Sequence, residues 1–233
     1  MKTARWIRAG LATVATVLSL GLNAEAQLSP GSPGGVNAAL TKLFGPIPSF
    51  TARVEVQVLE SSRQEVLRMP MNFAFLDGKV RLEIDVAQIR NRNVSPRQLA
   101  ALRQAGRGKI VTVIRPDKRA SYIIYPGARS YSIVPMPREE ANAVGKNLKV
   151  EKTALGKETL DGHPCVRNQV AVRDADRVVL EATTWNASDL KDFPLQIQTK
   201  DKGNTSILRF SKIQFINTDA RQFELPGSYT LAE

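Results

Sequence analysis

Reactive residue types are scarce in this chain. Its 233 residues include one cysteine, Cys165, and one histidine, His163. A single thiol excludes an internal disulfide. One cysteine with one histidine leaves a zinc site short of its three or four ligands. A Gly-rich phosphate loop, a G-x-S-x-G elbow and a zinc-protease helix motif are all missing from the sequence, and with them the chemistries they carry. Acidic residues are absent from the whole of 88–109. After residue 26 there is no second long apolar run. Neither an enzyme nor a metal or cofactor site is expected.

The lone thiol and the lone imidazole lie close together in "LGKETLDGHPCVRNQV", residues 155–170. A nucleophilic cysteine needs a base within reach, oriented by a third group. Side chains two apart on a strand run parallel instead of meeting, and Pro164 between them fixes φ. Asp161-Gly162 is a tight-turn pair, so the stretch reads as a hairpin corner with Cys165 buried at the start of the next strand.

What is present begins with "MKTARWIRAG", whose Lys2, Arg5 and Arg8 precede the apolar "LATVATVLSLGL" and the small residues "AEA". That order is the signature of a secretory signal peptide, and the apolar stretch is shorter than the ~20 residues of a spanning helix. Cleavage is expected after Ala26, giving a periplasmic protein. Residues 27–35 then read as a flexible leader and 36–233 as one domain. Without residues 1–26 the net charge is about +9, a field that favours acidic partners. Export argues against nucleic acid, which leaves anionic headgroups or simply a solvated basic surface.

Val36, Leu40, Leu43 and Phe44 are spaced for one face of a short helix ending at Gly45. Strand patterns follow. Val54, Val56 and Val58 alternate with polar residues. Leu67, Met69, Met71, Phe73 and Phe75 line one arm of a hairpin, and Val80, Leu82, Ile84 and Val86 the other, with Asp77-Gly78 as its turn. Pro70 implies an edge or bulged strand. Ser95-Pro96 starts a helix with Leu99 and Leu102 on its apolar face and Gly106 at its end. Arg90, Arg92, Arg97, Arg103, Arg107 and Lys109 surround it, the candidates for an anionic surface. Further strands are expected in "KIVTVIRP", "ASYIIYP", "RSYSIVPM", "CVRNQVAV", "RVVLEATTW", "FPLQIQT", "TSILRFSKIQF" and the tail "FELPGSYTLAE", with a short helix over 137–145. The pattern predicts a mainly β protein, an open antiparallel barrel capped by short helices. A capped open sheet can enclose a cavity, with Val54, Val56, Val58, Met69, Met71, Phe73, Phe75, Leu82, Ile84, Leu99 and Leu102 as lining candidates. The plain alternative for the same stripes is ordinary core.

The segments "DGKVRLEIDV", "VIRPDKRASYIIYP", "LGKETLDGHPCVRNQV", "EATTWNASDLKDFPLQIQ" and "ARQFELPGSYT", in this order, resemble a group of exported bacterial proteins of unknown function. That group is similar to the LolA-like outer-membrane lipoprotein-sorting fold, a link carried by the strand-arginine-proline pattern at "VIRP". The resemblance covers roughly residues 50–230. It implies about eleven antiparallel strands closed by helices over an apolar cavity, and a carrier or chaperone for the acyl chains of a lipid or lipoprotein; the chain itself is expected to be a monomer. An envelope interaction or stress-sensing module without lipid is the alternative it leaves open.

Overall fold

A computed structural model of the chain describes residues 38–138, 147–201 and 203–232. The expected signal peptide, leader and most of the 137–145 helix lie outside the described residues. Alternating apolar and polar residues build one large sheet. β1 (Ser49–Leu59), β2 (Glu65–Leu76), β3 (Lys79–Asp85), β5 (Lys109–Arg115), β6 (Ala120–Tyr125) and β7 (Ser130–Pro135) form a first meander, with a two-residue β4 (Arg90–Asn91) beside β2. A second meander holds β8 (Lys149–Leu160), β9 (His163–Asp174), β10 (Arg177–Ala187), β11 (Phe193–Asp201) and β12 (Asn204–Gln214). The two join where β1 pairs antiparallel with β12, Val54 opposite Phe210 and Val56 opposite Leu208. A two-residue β13 (Thr230–Leu231) runs parallel to β7. β8 ends the sheet on one side and the β7–β13 pair on the other, so it is curled but unclosed.

The curl shows at its margins. Met136, just after β7, and Leu148, just before β8, enter the same apolar core. The Asp77-Gly78 turn holds both residues at positive φ, 47° and 82°, as a two-residue hairpin requires. Helix α1 (Ala38–Thr41) continues as a 3-10 turn to Phe44 and stops at Gly45 with φ 67°. It drives Leu40, Leu43 and Phe44 into the concave side of the sheet, each at most 3% exposed. The Phe44 ring meets Phe50, Phe73, Phe75, Phe193 and Phe210 at centroid distances of 5.0–5.8 Å. Aromatic pairs at such spacing add about 0.5–1.5 kcal/mol each beyond area burial.

A second apolar layer covers the convex face. After β12 the chain returns across β5 and β6, placing Phe223 at 1% exposure with Val111, Val113, Ile124 and Ala74, and Leu225 and Tyr229 beside them. The tail is therefore a strap with a 3-10 turn (Ala220–Phe223) and only the two-residue β13, where a longer strand is expected from the sequence. Arg115, the arginine of "VIRP", fastens it. Its guanidinium is bonded to Asp117 at 2.7 and 2.9 Å, to the Phe223 carbonyl at 2.9 Å and to Glu224 at 2.5 Å.

Two other expectations change. β2 is an interior strand, and Pro70 falls in a gap on one flank, after β3 pairs up to Met71 and before β4 joins at Arg68. A residue that cannot donate costs no ladder bond on that flank. Val86 lies just past β3, in a 3-10 turn capped by Asp85. Among the described residues the sheet holds eleven full strands, as expected, and two two-residue pieces, β4 and β13.

Candidate functional site

The end of the barrel away from the phenylalanine cluster is covered by helix α2 (Pro96–Leu102). Ser95 and Gln98 cap it reciprocally, with Gln98 N–H donating to Ser95 Oγ at 3.3 Å and Ser95 N–H to Gln98 Oε1 at 2.8 Å. This capping box satisfies two donors of the first turn. Leu99 and Leu102 are half-buried and pack on the core, while Arg97 faces solvent. The helix loosens into a π-type turn over Arg103–Arg107, and Gly106 takes φ 73°. Gly106 there abuts Gly127 in the turn between β6 and β7. A Cβ on Gly127 would lie 2.5 Å from the Gly106 carbonyl oxygen. Arg107 stacks over the Tyr125 ring at 5.0 Å.

Between α2 and the β2–β4 pair lies a recess of about 430 Å³. Its apolar lining comes from Val66, Ile89, Val94, Pro96 and Leu99, and its polar lining from Glu65, Arg90, Asn91 and Arg92. The volume is within the ~300–1,000 Å³ typical of ligand pockets. Local chemistry sets the loop. Asp85 Oδ1 accepts from Ala87 N–H at 3.0 Å, and Asn91 Oδ1 accepts from Asn93 N–H at 2.8 Å, the side-chain turns that steer the chain from β3 into α2.

The basic candidates divide. Arg90 and Arg92 line the recess, Arg97, Arg103 and Lys109 are exposed, and Arg107 is held on its ring. Carboxylates distant in sequence answer part of the charge. Arg92 pairs with Glu60 at 3.1 Å and Gln64 at 2.7 Å. The Arg68 hydrogen bond holds the Glu65 carboxyl below its usual range, and the nearby Arg90 adds to this. Arg97 and Arg103 make no ion pair among the described residues. The lining candidates Val54, Val56, Val58, Met69, Met71, Phe73, Phe75, Leu82 and Ile84 share one concave face and are each at most 7% exposed. Phe73 and Phe75 are in the ring cluster with Phe44, a plug that the strand patterns alone did not reveal.

The His163–Cys165 pair takes no nucleophile–base geometry. His163 Nδ1 is 2.8 Å from Asp189 Oδ2, and Cys165 Sγ donates to the backbone carbonyl of His163 at 3.5 Å. Burial pushes the thiol up. Among the described residues no three His, Cys, Asp or Glu side chains gather as a metal site, and no helix is long and apolar enough to cross a membrane.

No family model matches the chain, and neither does any curated protein. Solved structures do. A LolA superfamily protein from Nitrosomonas europaea aligns at 10% identity over 82% of this chain and 98% of its own, with a TM-score of 0.39. The Mycobacterium tuberculosis lipoprotein LppX aligns at 12% identity over 78% and 94%, TM-score 0.44. LprF from Mycobacterium bovis aligns at 10% identity over 82% and 95%, TM-score 0.36. The chain is similar to LolA-like structures. Its architecture is mainly β, antiparallel but for the β7–β13 pair, unclosed and covered by short helices.

Proposed function

We propose that this chain is an exported periplasmic binding protein that receives an acyl chain of a lipid or lipoprotein under α2, as a carrier or chaperone and not as an enzyme. The observation that carries the reading is the recess itself, whose lining joins an apolar floor of Val66, Ile89, Val94 and Leu99 with the exposed Arg90. An amphiphile matches that layout, with its chain on the floor and its anionic head at the rim. Leu99 and Leu102 are only half-buried, so moving α2 outward would sacrifice little burial and widen the entry. The phenylalanine plug closes the opposite end, so the chain would enter from the α2 side. Arg97 and Arg103 would face an anionic membrane surface during loading.

The test is stoichiometric binding of a fluorescent fatty acid to the form beginning at Gln27. Leu99→Glu should abolish binding, because a carboxylate on the floor must be desolvated or protonated. Circular dichroism should show the variant folded, since Leu99 is not fully buried. A folded wild type that binds no apolar probe, and carries no lipid-sized adduct in native mass spectrometry of protein purified from the envelope, would sink the carrier reading and favour a lipid-free interaction module.

A further inference from the structure

A second recess, of about 460 Å³, lies on the convex face between the sheet and the C-terminal strap, on the opposite side of β1 and β2 from the core. Small side chains form its floor. Thr51 and Ala74 stand opposite one another on β1 and β2, and Asn72 is the next position outward, opposite Arg53. Arg53, Arg81, Glu83 and Lys212 bring three cations and one carboxylate to its walls. Glu83 is spent on Arg81, at 2.6 and 2.9 Å, and Arg81 also holds the Gln222 carbonyl of the strap. Arg53 is bonded to the neutral Gln88 at 2.7 Å, so its charge is not cancelled there. The Lys212 ammonium, the Asn72 and Gln214 amides and the Thr51 hydroxyl form no hydrogen bond within the described chain.

The backbone around Lys212 departs from the regular ladder. Thr51 pairs with Gln214 and Arg53 with Ser211, so β12 carries one residue more than β1 across this span. Within that bulge Lys212 sits at φ 50°, in the left-handed region that a lysine adopts at a cost. Bulges re-aim side chains, and strained backbone collects at functional sites. Here the strained residue lines the recess.

We infer that this recess is a binding site for a small phosphate ester of a polyol, about the size of glycerol 3-phosphate. Two uncancelled cations, one planar and one a point charge, match a phosphate group. The unpartnered amides and hydroxyl match the hydroxyls of the polyol. The same chemistry could arrive as a free solute or as the headgroup of a lipid.

Calorimetric titration of the full chain with glycerol 3-phosphate, with inorganic phosphate for comparison, tests the site. Saturable one-to-one binding is expected. Lys212→Gly and Arg53→Gln should each weaken it about tenfold or more, the loss of one charge-assisted contact. Ala74→Leu should block it by filling the floor. Lys212→Gly should leave the melting temperature unchanged or raise it, because glycine relaxes at positive φ. That result separates binding from folding. Phosphatidylglycerol vesicles supply the second arm. Vesicle binding that weakens with both variants identifies a lipid headgroup, whereas vesicle binding indifferent to them, beside variant-sensitive binding of the soluble ester, identifies a free solute. No saturable heat with either soluble phosphate, or unchanged affinity in both variants, would overturn the inference.

Discussion

A guanidinium that is only 5% exposed must place its donors, and Arg115 places them on Asp117, Glu224 and the Phe223 carbonyl. The two carboxylates are each about half-exposed, so removing the arginine would not strand a buried charge. Arg115→Met should therefore cost about 1–3 kcal/mol, the scale of lost charged hydrogen bonds, and less than the break-up of a fully buried pair. The effect should depend on pH. Arg115 holds Asp117 down to about 2, and Lys118 with Arg115 holds Glu224 below its usual range. Carboxyls depressed in the folded state stabilise it above their unfolded pKa of about 4 and lose that contribution as pH falls toward about 2. The melting-temperature gap between wild type and Arg115→Met should be constant from neutral pH to about 5 and close below about 4. A gap indifferent to acid would place the stabilisation in packing alone. Cys165 is 2% exposed, with its thiol pushed up by burial. Native protein should resist a maleimide at neutral pH while unfolded protein reacts. Cys165→Ser should cost about 1–2 kcal/mol by burying a hydroxyl in its place.

At the scale of elements, α2 depends on two glycines in backbone contact. Gly127→Ala would put a Cβ within 2.5 Å of the Gly106 carbonyl, and neither side of that contact is a side chain that can swing away. A loss of about 1–3 kcal/mol is expected, as for overpacking, with faster hydrogen exchange across 96–107 than elsewhere. The helix was legible in the sequence because its signals are local: Ser95-Pro96, the apolar pair Leu99 and Leu102, and Gly106. The β2–β3 hairpin was legible for the same reason. β8 was not, because as a sheet margin it buries almost nothing and has no apolar alternation to read. Its side toward the core carries Lys152, bonded to Asp192 at 2.7 Å, and its register slips between Ala154 and Gly156. An inward lysine and a bulge are devices that keep free strands from pairing with other chains. The ion pair is exposed enough to be worth no more than about 1 kcal/mol. Lys152→Val should thus barely change melting while raising self-association in sedimentation; an unchanged sedimentation profile would assign the lysine no protective part. The recess under α2 was half legible. Its Leu99, Arg90 and Arg92 follow from the sequence, but the Glu60 carboxylate that answers Arg92 arrives through a pairing no local pattern encodes.

The whole molecule is two meanders that share one seam, β1 against β12. The first meander alone would leave one flank of β1 open and lack Leu208, Phe210 and Phe193, which complete the concave core. A fragment of residues 27–147 should therefore show no cooperative thermal transition, and adding residues 148–233 in trans should restore one. Sharp melting of the fragment by itself would show that the halves are separate folding units. The seam also sets a schedule. Among the described residues β1 is the first strand to be made, and its partner follows roughly 150 residues later. At about 5–20 residues per second, roughly 8–30 s separate the synthesis of β1 from that of its neighbour. Through that interval Val54 and Val56 have no cross-strand partner from β12, so a newborn chain depends on whatever shields it from other newborn chains until its final strands arrive.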